Sequence, residues 1–172
     1  MQFSHSPLRI EDIQKILPMG LMVGAHVTPS DHQYYVLKEM DSDRFRYDVF
    51  APADGFVVMV QHRVAMQGND GPKERDDYRL VIEHSRTIWS YYDLLTRLDD
   101  ALLVHWGGKY PRGQNQWVRI PVKAGQVIGK IGGRTLDFAV VNSQSTLKGF
   151  VVPEHYAREP WKIHTVDPFD YF

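Results

Sequence analysis

The sequence predicts a single, mainly β domain. After Pro18, segments rich in Val, Ile, Tyr and Phe alternate with turns that contain Gly, Pro, Asn and Asp, as in a sheet. With 172 residues and 43% hydrophobic content, the chain is long enough for one core and short for two. We expect strands at 32–38, 46–50, 56–64, 78–84, 87–92, 117–120, 126–131 and 135–141.

Three segments depart from the strand pattern. Between Arg9 and Leu17 the apolar residues fall at helical spacing and Pro18 follows, which predicts a short N-terminal helix. Residues 94–104 predict one or two further helical turns. The tail, 151–172, is rich in Pro and aromatic residues without periodicity, and we expect it to wrap the surface and bury Trp161, Phe169, Tyr171 and Phe172.

Two segments have the composition of loops. Residues 67–77 combine turn formers with clustered charge and predict a solvated hairpin loop. Residues 105–117 carry three aromatic side chains and predict either a lid over a groove or packing onto the sheet. By this interpretation residues 1–30 are a helix and lead-in, and residues 31–172 are the β domain.

Composition narrows the range of functions. Lys and Arg total 20 against 21 for Asp and Glu, so no overall positive field would attract nucleic acid. The absence of cysteine means that any metal must be held by His, Asp or Glu. No signal-peptide pattern and no run of about 18 apolar residues is visible, so we expect no membrane span. Oligomeric state and compartment stay open.

Two segments, YDVFAPADGFVVMV (47–60) and VKAGQVIGKIG (122–132), share a turn that leads into an apolar strand. We expect Gly55 and Gly125 to supply turn conformations that other residues adopt only at a cost. The pair resembles the two halves of the duplicated hybrid motif, a barrel-sandwich hybrid. Biotinyl and lipoyl carriers share that motif, but their Met-Lys-Met turn is absent here.

Three further segments narrow the resemblance. VIEHSRTIWSYYDLL (81–95) is similar to a strand unit ending in Tyr-x-His-Leu, TLDFAVV (135–141) to a His-x-His strand, and VDPFDYF (166–172) to a closing Asn-Pro-x-x-Tyr-Leu. From about Asp31 onward the chain therefore resembles the lysostaphin-like (LytM-type) zinc endopeptidases. That resemblance implies a zinc-dependent peptidase fold, peptidoglycan as substrate, and a cell-envelope or extracellular location.

The family's site residues are largely replaced in this sequence. The resemblance implies that His32 is a zinc ligand, but the next ligand position, four residues later, is Val36, which cannot bind metal. The paired His positions of the late strand fall at Thr135 and Asp137, and the remaining catalytic His position falls at Asp93. The metal position thus keeps an oxygen ligand, and two catalytic His residues become a carboxylate and a hydroxyl.

A substitute ligand for zinc could come from the segment before His32. His26, His32 and Asp137 would then hold the metal, with Asp93 and Thr135 as catalytic groups, and Asp31 is a second candidate for the missing ligand. Purely structural roles are the alternative, with His26 in a turn, Asp31 capping the strand and Asp137 paired with a cation such as Arg134.

Because an isolated carboxylate in a sheet is costly, Asp93 and Asp137 should each have a partner such as His32 or a metal. We expect a divergent domain with a metal-capable groove that binds a peptide or glycan or carries altered metal-dependent hydrolase activity. An active zinc endopeptidase with substituted ligands, a non-catalytic carrier or scaffold, and an acid–base pair for a glycosidic bond are the alternatives.

Overall fold

A computed structural model describes residues 1–23, 28–64, 76–108, 115–148 and 152–172. Strands dominate these ranges, which confirms the mainly β class. The strands are β1 (Ile13–Leu17), β2 (Gln33–Leu37), β3 (Tyr47–Phe50), β4 (Gly55–Val64), β5 (Asp76–Glu83), β6 (Ile88–Leu95), β7 (Arg97–Leu98), β8 (Gln116–Val122), β9 (Val127–Ile131), β10 (Leu136–Asn142) and β11 (Thr165–Val166).

The described strands form two antiparallel sheets. In the large sheet the order is β1-β2-β10-β6-β5-β4-β8, with β11 added to the end of β10, and in the small sheet it is β3-β9-β7. Strands that are far apart in sequence, such as β2, β6 and β10, are therefore direct neighbours. That adjacency brings the candidate site residues to one part of the large sheet.

The two hybrid-motif segments pair with each other. β3 pairs with β9 in the small sheet and the start of β4 pairs with β8 in the large one. Gly125 has a φ of +75° in the turn, as expected. Gly55 does not have such a φ; instead, a Cβ there would lie 2.6 Å from the Glu83 carbonyl oxygen, so a close strand approach requires this glycine.

Side-chain alternation gives the large sheet a core face and an opposite face, here called the outer face. On β10, Leu136, Phe138 and Val140 belong to the main core, whereas Ala139 and Val141 belong to a second, smaller apolar cluster. Asp137 is on the same face of β10 as Ala139 and Val141, because side chains two residues apart in a strand share a face. The candidate polar residues therefore lie on the outer face and leave the core apolar.

The N-terminal segment corrects one prediction. A single 3₁₀ turn, Ile10–Asp12, is followed by strand β1, so the helix expected through Leu17 is wrong. Antiparallel pairing of β1 with β2 uses the backbone groups that a helix would have bonded internally. Ile13 and Ile16 still pack against the core, but Ile10 is 76% exposed. Phe3 and Leu8 are buried in the same core as the β domain.

The other irregular segments follow the predictions in part. Helical turns do occur in the expected region, as α1 (Asp100–Leu103) and a 3₁₀ turn at Val104–Trp106, while its first residues belong to β6 and β7. The tail forms 3₁₀ turns at Pro153–Tyr156, Pro160–His164 and Pro168–Tyr171. Trp161 and Tyr171 are partly buried, but Phe169 and Phe172 are 54% and 38% exposed, against expectation.

Most of the predicted hairpin loop at 67–77 and part of the aromatic loop at 105–117 lie outside the described residues. Within the described ranges no helix is long and apolar enough to cross a membrane.

Candidate functional site

His32, directly before β2, lies between two carboxylates. Its Nδ1 is 3.0 Å from Asp31 Oδ1, and its Nε2 is 3.4 Å from Asp137 Oδ2. Asp137 reaches this position because β10 pairs directly with β2. Tyr91 on β6 places its hydroxyl 3.4 Å from the same Nδ1. Both nitrogens of a buried imidazole thus face acidic groups.

The pKa values of these three side chains follow from burial and from one another. Burial would raise the pKa of Asp31, but hydrogen bonds to His32 and Tyr91 hold it well below its usual range. Burial would lower the pKa of His32, but Asp31 and Asp137 raise it above the ordinary value. Burial raises the pKa of Asp137 to about 7. The arrangement therefore favours an imidazolium held beside Asp31.

Thr135 is joined to the same group. Its hydroxyl donates a hydrogen bond to Asp137 Oδ1 over 3.1 Å, so it fixes the carboxylate that faces His32. Thr135 directly precedes β10 and Asp137 is the second residue of that strand, so their side chains, two positions apart, meet on one face. Val36, at the position where the sequence resemblance implies a second ligand, is partly buried and offers no ligand atom.

Asp93 lies directly opposite Asp137 on the neighbouring strand β6. Its carboxylate accepts hydrogen bonds from Arg79 Nε at 2.6 Å and from Arg79 Nη2 at 2.5 Å. A second guanidinium, that of Arg63, lies 3.1 Å from Asp93 Oδ1. Asp93 is only 5% exposed, so this is a bidentate, buried ion pair.

The ion pairs continue along the outer face of β5. Arg63 Nη2 lies 3.3 Å from Asp77 Oδ1, and Arg134 Nη1 lies 3.7 Å from Asp77 Oδ2. We call the whole set the ionic cluster: Asp31, His32, Arg63, Asp77, Arg79, Asp93, Arg134 and Asp137. Its charges nearly balance, since four carboxylates face three guanidinium groups and one imidazole.

The backbone beside this cluster is unusual. Leu94, directly after Asp93, has a φ of +68°, in the left-handed region that non-glycine residues seldom adopt. The β5–β6 register shifts between Tyr78 and Leu80, opposite the same position. Such strain persists where surrounding contacts fix the chain, and here the Asp93 ion pair is one of them.

Of the residues that the sequence singled out, His32, Thr135 and Asp137 are in contact, and Asp93 faces Asp137 across the strand pair. His26 lies outside the described residues. Arg134, the cation that the structural alternative gave to Asp137, forms an ion pair with Asp77. The metal-binding and catalytic roles of these residues stay predictions.

Sequence reasoning missed Arg63 and Arg79. Both are charged residues at outer-face positions of apolar strands. Asp77 and Arg79 on β5 share this face with Asp93 on the neighbouring β6. The signal available in the sequence was a positively charged residue within an apolar strand pattern. The register that sets Arg79 against Asp93, however, depends on long-range pairing.

Ligand count decides whether the described residues fit zinc. Two ligands on one tetrahedral zinc are about 3.4 Å apart, as His32 Nε2 and Asp137 Oδ2 are, and a carboxylate behind the other imidazole nitrogen is typical of a metal-bound His. A zinc site needs at least a third protein ligand. Asp31 bonds the other nitrogen of His32, and within the described ranges no three His, Asp or Glu side chains are placed so that they could hold one metal ion. These residues alone therefore do not fit a zinc site.

Beside the ionic cluster the outer face becomes aromatic. A cavity of about 340 Å³ lies over β4, β5, β6 and β10, and Arg79 forms its polar wall. We call it the aromatic cleft, defined by Met59, Val81, Trp89, Trp117, Val141 and Trp161. Trp161 comes from the tail and donates a hydrogen bond from Nε1 to Asp31 Oδ2 over 3.2 Å, so the two regions are bonded together.

Comparison with known proteins identifies the fold. No protein-family model and no curated protein matches the sequence. Among solved structures, the chain is similar to Csd3 from Helicobacter pylori, with 15% identity and a TM-score of 0.51, over 99% of this chain and 35% of that one. This chain therefore spans about a third of the length of Csd3.

Two other structures have lower TM-scores. A zinc-containing peptidase from Vibrio cholerae is 21% identical over 83% of this chain and 37% of its own, with a TM-score of 0.45. A mutant form of the catalytic domain of the prophage-encoded M23 protein EnpA from Enterococcus faecalis is 13% identical over 75% of this chain and 82% of its own, with a TM-score of 0.37.

The chain therefore shares the fold of the matched part of Csd3, and this fold is mainly β. At these identities the comparison shows the fold alone.

Proposed function

We propose that this domain binds a peptide or glycan ligand on the outer face of its large sheet and does not hydrolyse it by the reaction of the peptidases it resembles. The observation that carries the proposal is the bidentate ion pair between Asp93 and Arg79. Asp93 stands where the resembling family has a catalytic His. Here it serves as the counter-ion of a guanidinium.

This ion pair works against both catalytic alternatives. A general base must reach the proton that it removes, but both oxygens of Asp93 are held by Arg79 and Arg63. The same engagement prevents Asp93 from acting as acid or base on a glycosidic bond. Two guanidinium groups beside the site also disfavour a further divalent cation by direct repulsion.

The first experiment separates binding from catalysis. Protein purified without chelator is analysed for zinc and assayed against glycine-rich and mixed-sequence peptides, while a peptide and glycan panel is titrated by NMR. We expect less than stoichiometric zinc, no cleavage, and saturable binding by at least one panel member. One zinc per chain, together with cleavage that Asp137→Ala abolishes, would refute the proposal.

A zinc hydrolase is the second candidate, because the His32 Nε2 to Asp137 Oδ2 separation of 3.4 Å suits two ligands of one zinc. In that case the third ligand would come from outside the described residues, and His26 is the sequence-based choice. Isothermal titration of zinc into wild type, His26→Ala and the matched control His105→Ala tests it. Zinc affinity lost only in His26→Ala would support the hydrolase.

A scaffold role predicts a third outcome. If the outer face only displays a surface for another protein, no peptide or glycan of the panel should bind there. Signals from outer-face residues would then remain unchanged throughout the titrations.

A further inference from the structure

The aromatic cleft is large enough for a ligand group. Its volume of about 340 Å³ is within the usual range for pockets that bind small molecules. It would hold about ten water molecules, given the ~30 Å³ that each occupies in the liquid. Because most of its lining is apolar, such water would be poorly bonded and readily displaced by an apolar group.

The walls of the cleft are held in place before any ligand arrives. Trp161 is fixed by its hydrogen bond to Asp31, and the Arg79 guanidinium lies over the rings of Tyr91 and Trp161 at 5.1 and 5.9 Å. Arg79 is in turn fixed by Asp93. Because these side chains are already ordered, they lose less conformational entropy when a ligand binds.

The polarity of the cleft distinguishes between the two ligand classes of the proposed function. Several polar groups of its lining are already bonded: Ser90 to His84 at 2.8 Å, Tyr91 to His32 and Trp161 to Asp31. The other polar groups of the lining are Arg79, Asn115 and the indole N–H groups of Trp89 and Trp117, which donate and, apart from the Asn115 amide oxygen, offer a sugar no acceptor. A sugar ring would bring several hydroxyl groups into a space with few partners, and each unpaired group disfavours binding. A bulky apolar side chain has no such requirement.

Arg79 still offers one specific polar contact. Its Nε and Nη2 bind Asp93, and Nη1 has no hydrogen bond to the described part of the chain. Because Asp93 neutralises the guanidinium charge, Nη1 suits a neutral acceptor such as a peptide carbonyl better than a free anion.

The rim adds an exposed aromatic surface. Trp117 on β8 is 76% exposed, an unusual position for the largest apolar side chain, and it borders the same cavity. Aromatic side chains of this kind commonly anchor ligands through stacking.

We propose that the aromatic cleft binds the bulky apolar or aromatic side chain of an extended peptide, with a main-chain carbonyl of that peptide accepting a hydrogen bond from Arg79. This inference rests on the proposed binding function and chooses the peptide over the glycan.

Three probes test it by NMR, with the indole N–H signals as reporters: N-acetyl-Gly-Phe-Gly-amide, N-acetyl-Gly-Gly-Gly-amide and tri-N-acetylchitotriose. We expect the Phe peptide to shift the signals of Trp117 and Trp161 saturably. It should bind about ten-fold more tightly than the Gly peptide, a difference that one buried ring readily supplies.

Variants locate the binding. Val141→Phe fills the cleft and should abolish the preference for Phe, whereas the matched control Val141→Ile adds one methylene and should keep most of it. Trp117→Ala should weaken binding several-fold and Trp117→Phe should restore part of it. Phe169→Ala, at an exposed aromatic residue away from the cleft, should change nothing.

The contrary outcomes are distinct. Equal affinity for the two peptides, or binding of the chitotriose alone, would overturn the side-chain inference while a binding function stands. No binding by any probe would overturn both. Zinc-dependent cleavage of a bound Phe peptide would overturn the proposed function and leave the cleft assignment intact.

Discussion

The ionic cluster and the aromatic cleft share the outer face of one sheet but are held together by different forces. In the ionic cluster, buried carboxylates are stable only because guanidinium and imidazole groups face them at 2.5–3.7 Å. In the aromatic cleft, ring contacts and one indole hydrogen bond leave an open space. The cluster should therefore dominate stability, and the cleft should dominate recognition.

The largest effect is expected at Arg79. Replacing it with Ala leaves Asp93 buried with only the longer contacts to Arg63, and breaking a buried pair in this way costs about 3 kcal/mol. Urea unfolding of Arg79→Ala measures the loss. Lys123→Ala, which breaks the exposed pair with Asp54, is the matched control and should give no measurable change.

A double variant sharpens this result. Arg79→Ala combined with Asp93→Ala removes both charges, so it should be more stable than Arg79→Ala alone. If the single and double variants lose the same stability, the ion pair between Arg79 and Asp93 does not stabilise the ionic cluster.

The fold was largely predictable from sequence because strand alternation is a local signal. β2, β3, β4, β9 and β10 lie within one residue of their expected bounds, and β5 and β8 lie within two. The N-terminal helix was wrong because its apolar spacing also suits a strand once β2 is available as a partner. Local sequence contains no information about that pairing.

The candidate site was predictable only where polarity broke the pattern. Asp93 and Asp137 were recognisable as carboxylates within apolar strands. Their true partners were not, since Arg79 meets Asp93 only through the β5–β6 register, and Trp161 reaches Asp31 across 130 positions of sequence.

The second largest effect concerns pH. Burial raises the pKa of Asp137 from 3.8 to about 7, so between these values the folded carboxyl retains a proton that the unfolded one has lost. The folded state binds more protons, and the free energy of unfolding should therefore fall as pH rises, by up to about 1.4 kcal/mol per pH unit. The raised pKa of His32 acts in the same direction: its stabilising contribution is complete below its ordinary value of 6.5 and is lost at higher pH.

Asp137→Asn tests this by urea unfolding at intervals from pH 4.5 to 8. The fall in stability should be smaller in the variant than in wild type. Asp54→Asn is the control, since Lys123 lowers the pKa of that exposed carboxyl and its contribution is lost only as pH falls. His84, whose pKa is lowered by burial, acts in the opposite direction in both proteins, so the same pH dependence in variant and wild type would contradict the assignment. Asp31, with its lowered pKa, contributes a loss only toward acid pH.

A smaller effect on stability is expected at Trp161, whose side chain connects the aromatic cleft to the ionic cluster. Trp161→Phe keeps an aromatic wall but removes the indole hydrogen bond to Asp31, at a cost of about 1 kcal/mol. Thermal unfolding measures it. The control Trp106→Phe changes a tryptophan that packs on the main core instead. Equal losses in the two variants would mean that the bond to Asp31 adds nothing beyond ring packing.

The smallest effect is expected at Trp117. Because this side chain is 76% exposed, Trp117→Ala removes little buried area and should change the free energy of unfolding by no more than about 0.5 kcal/mol. Urea unfolding of the variant checks this. A larger loss would mean that Trp117 is part of the structural framework. An unchanged stability, with weaker binding of the Phe peptide, would show that this residue serves recognition and not the structural framework.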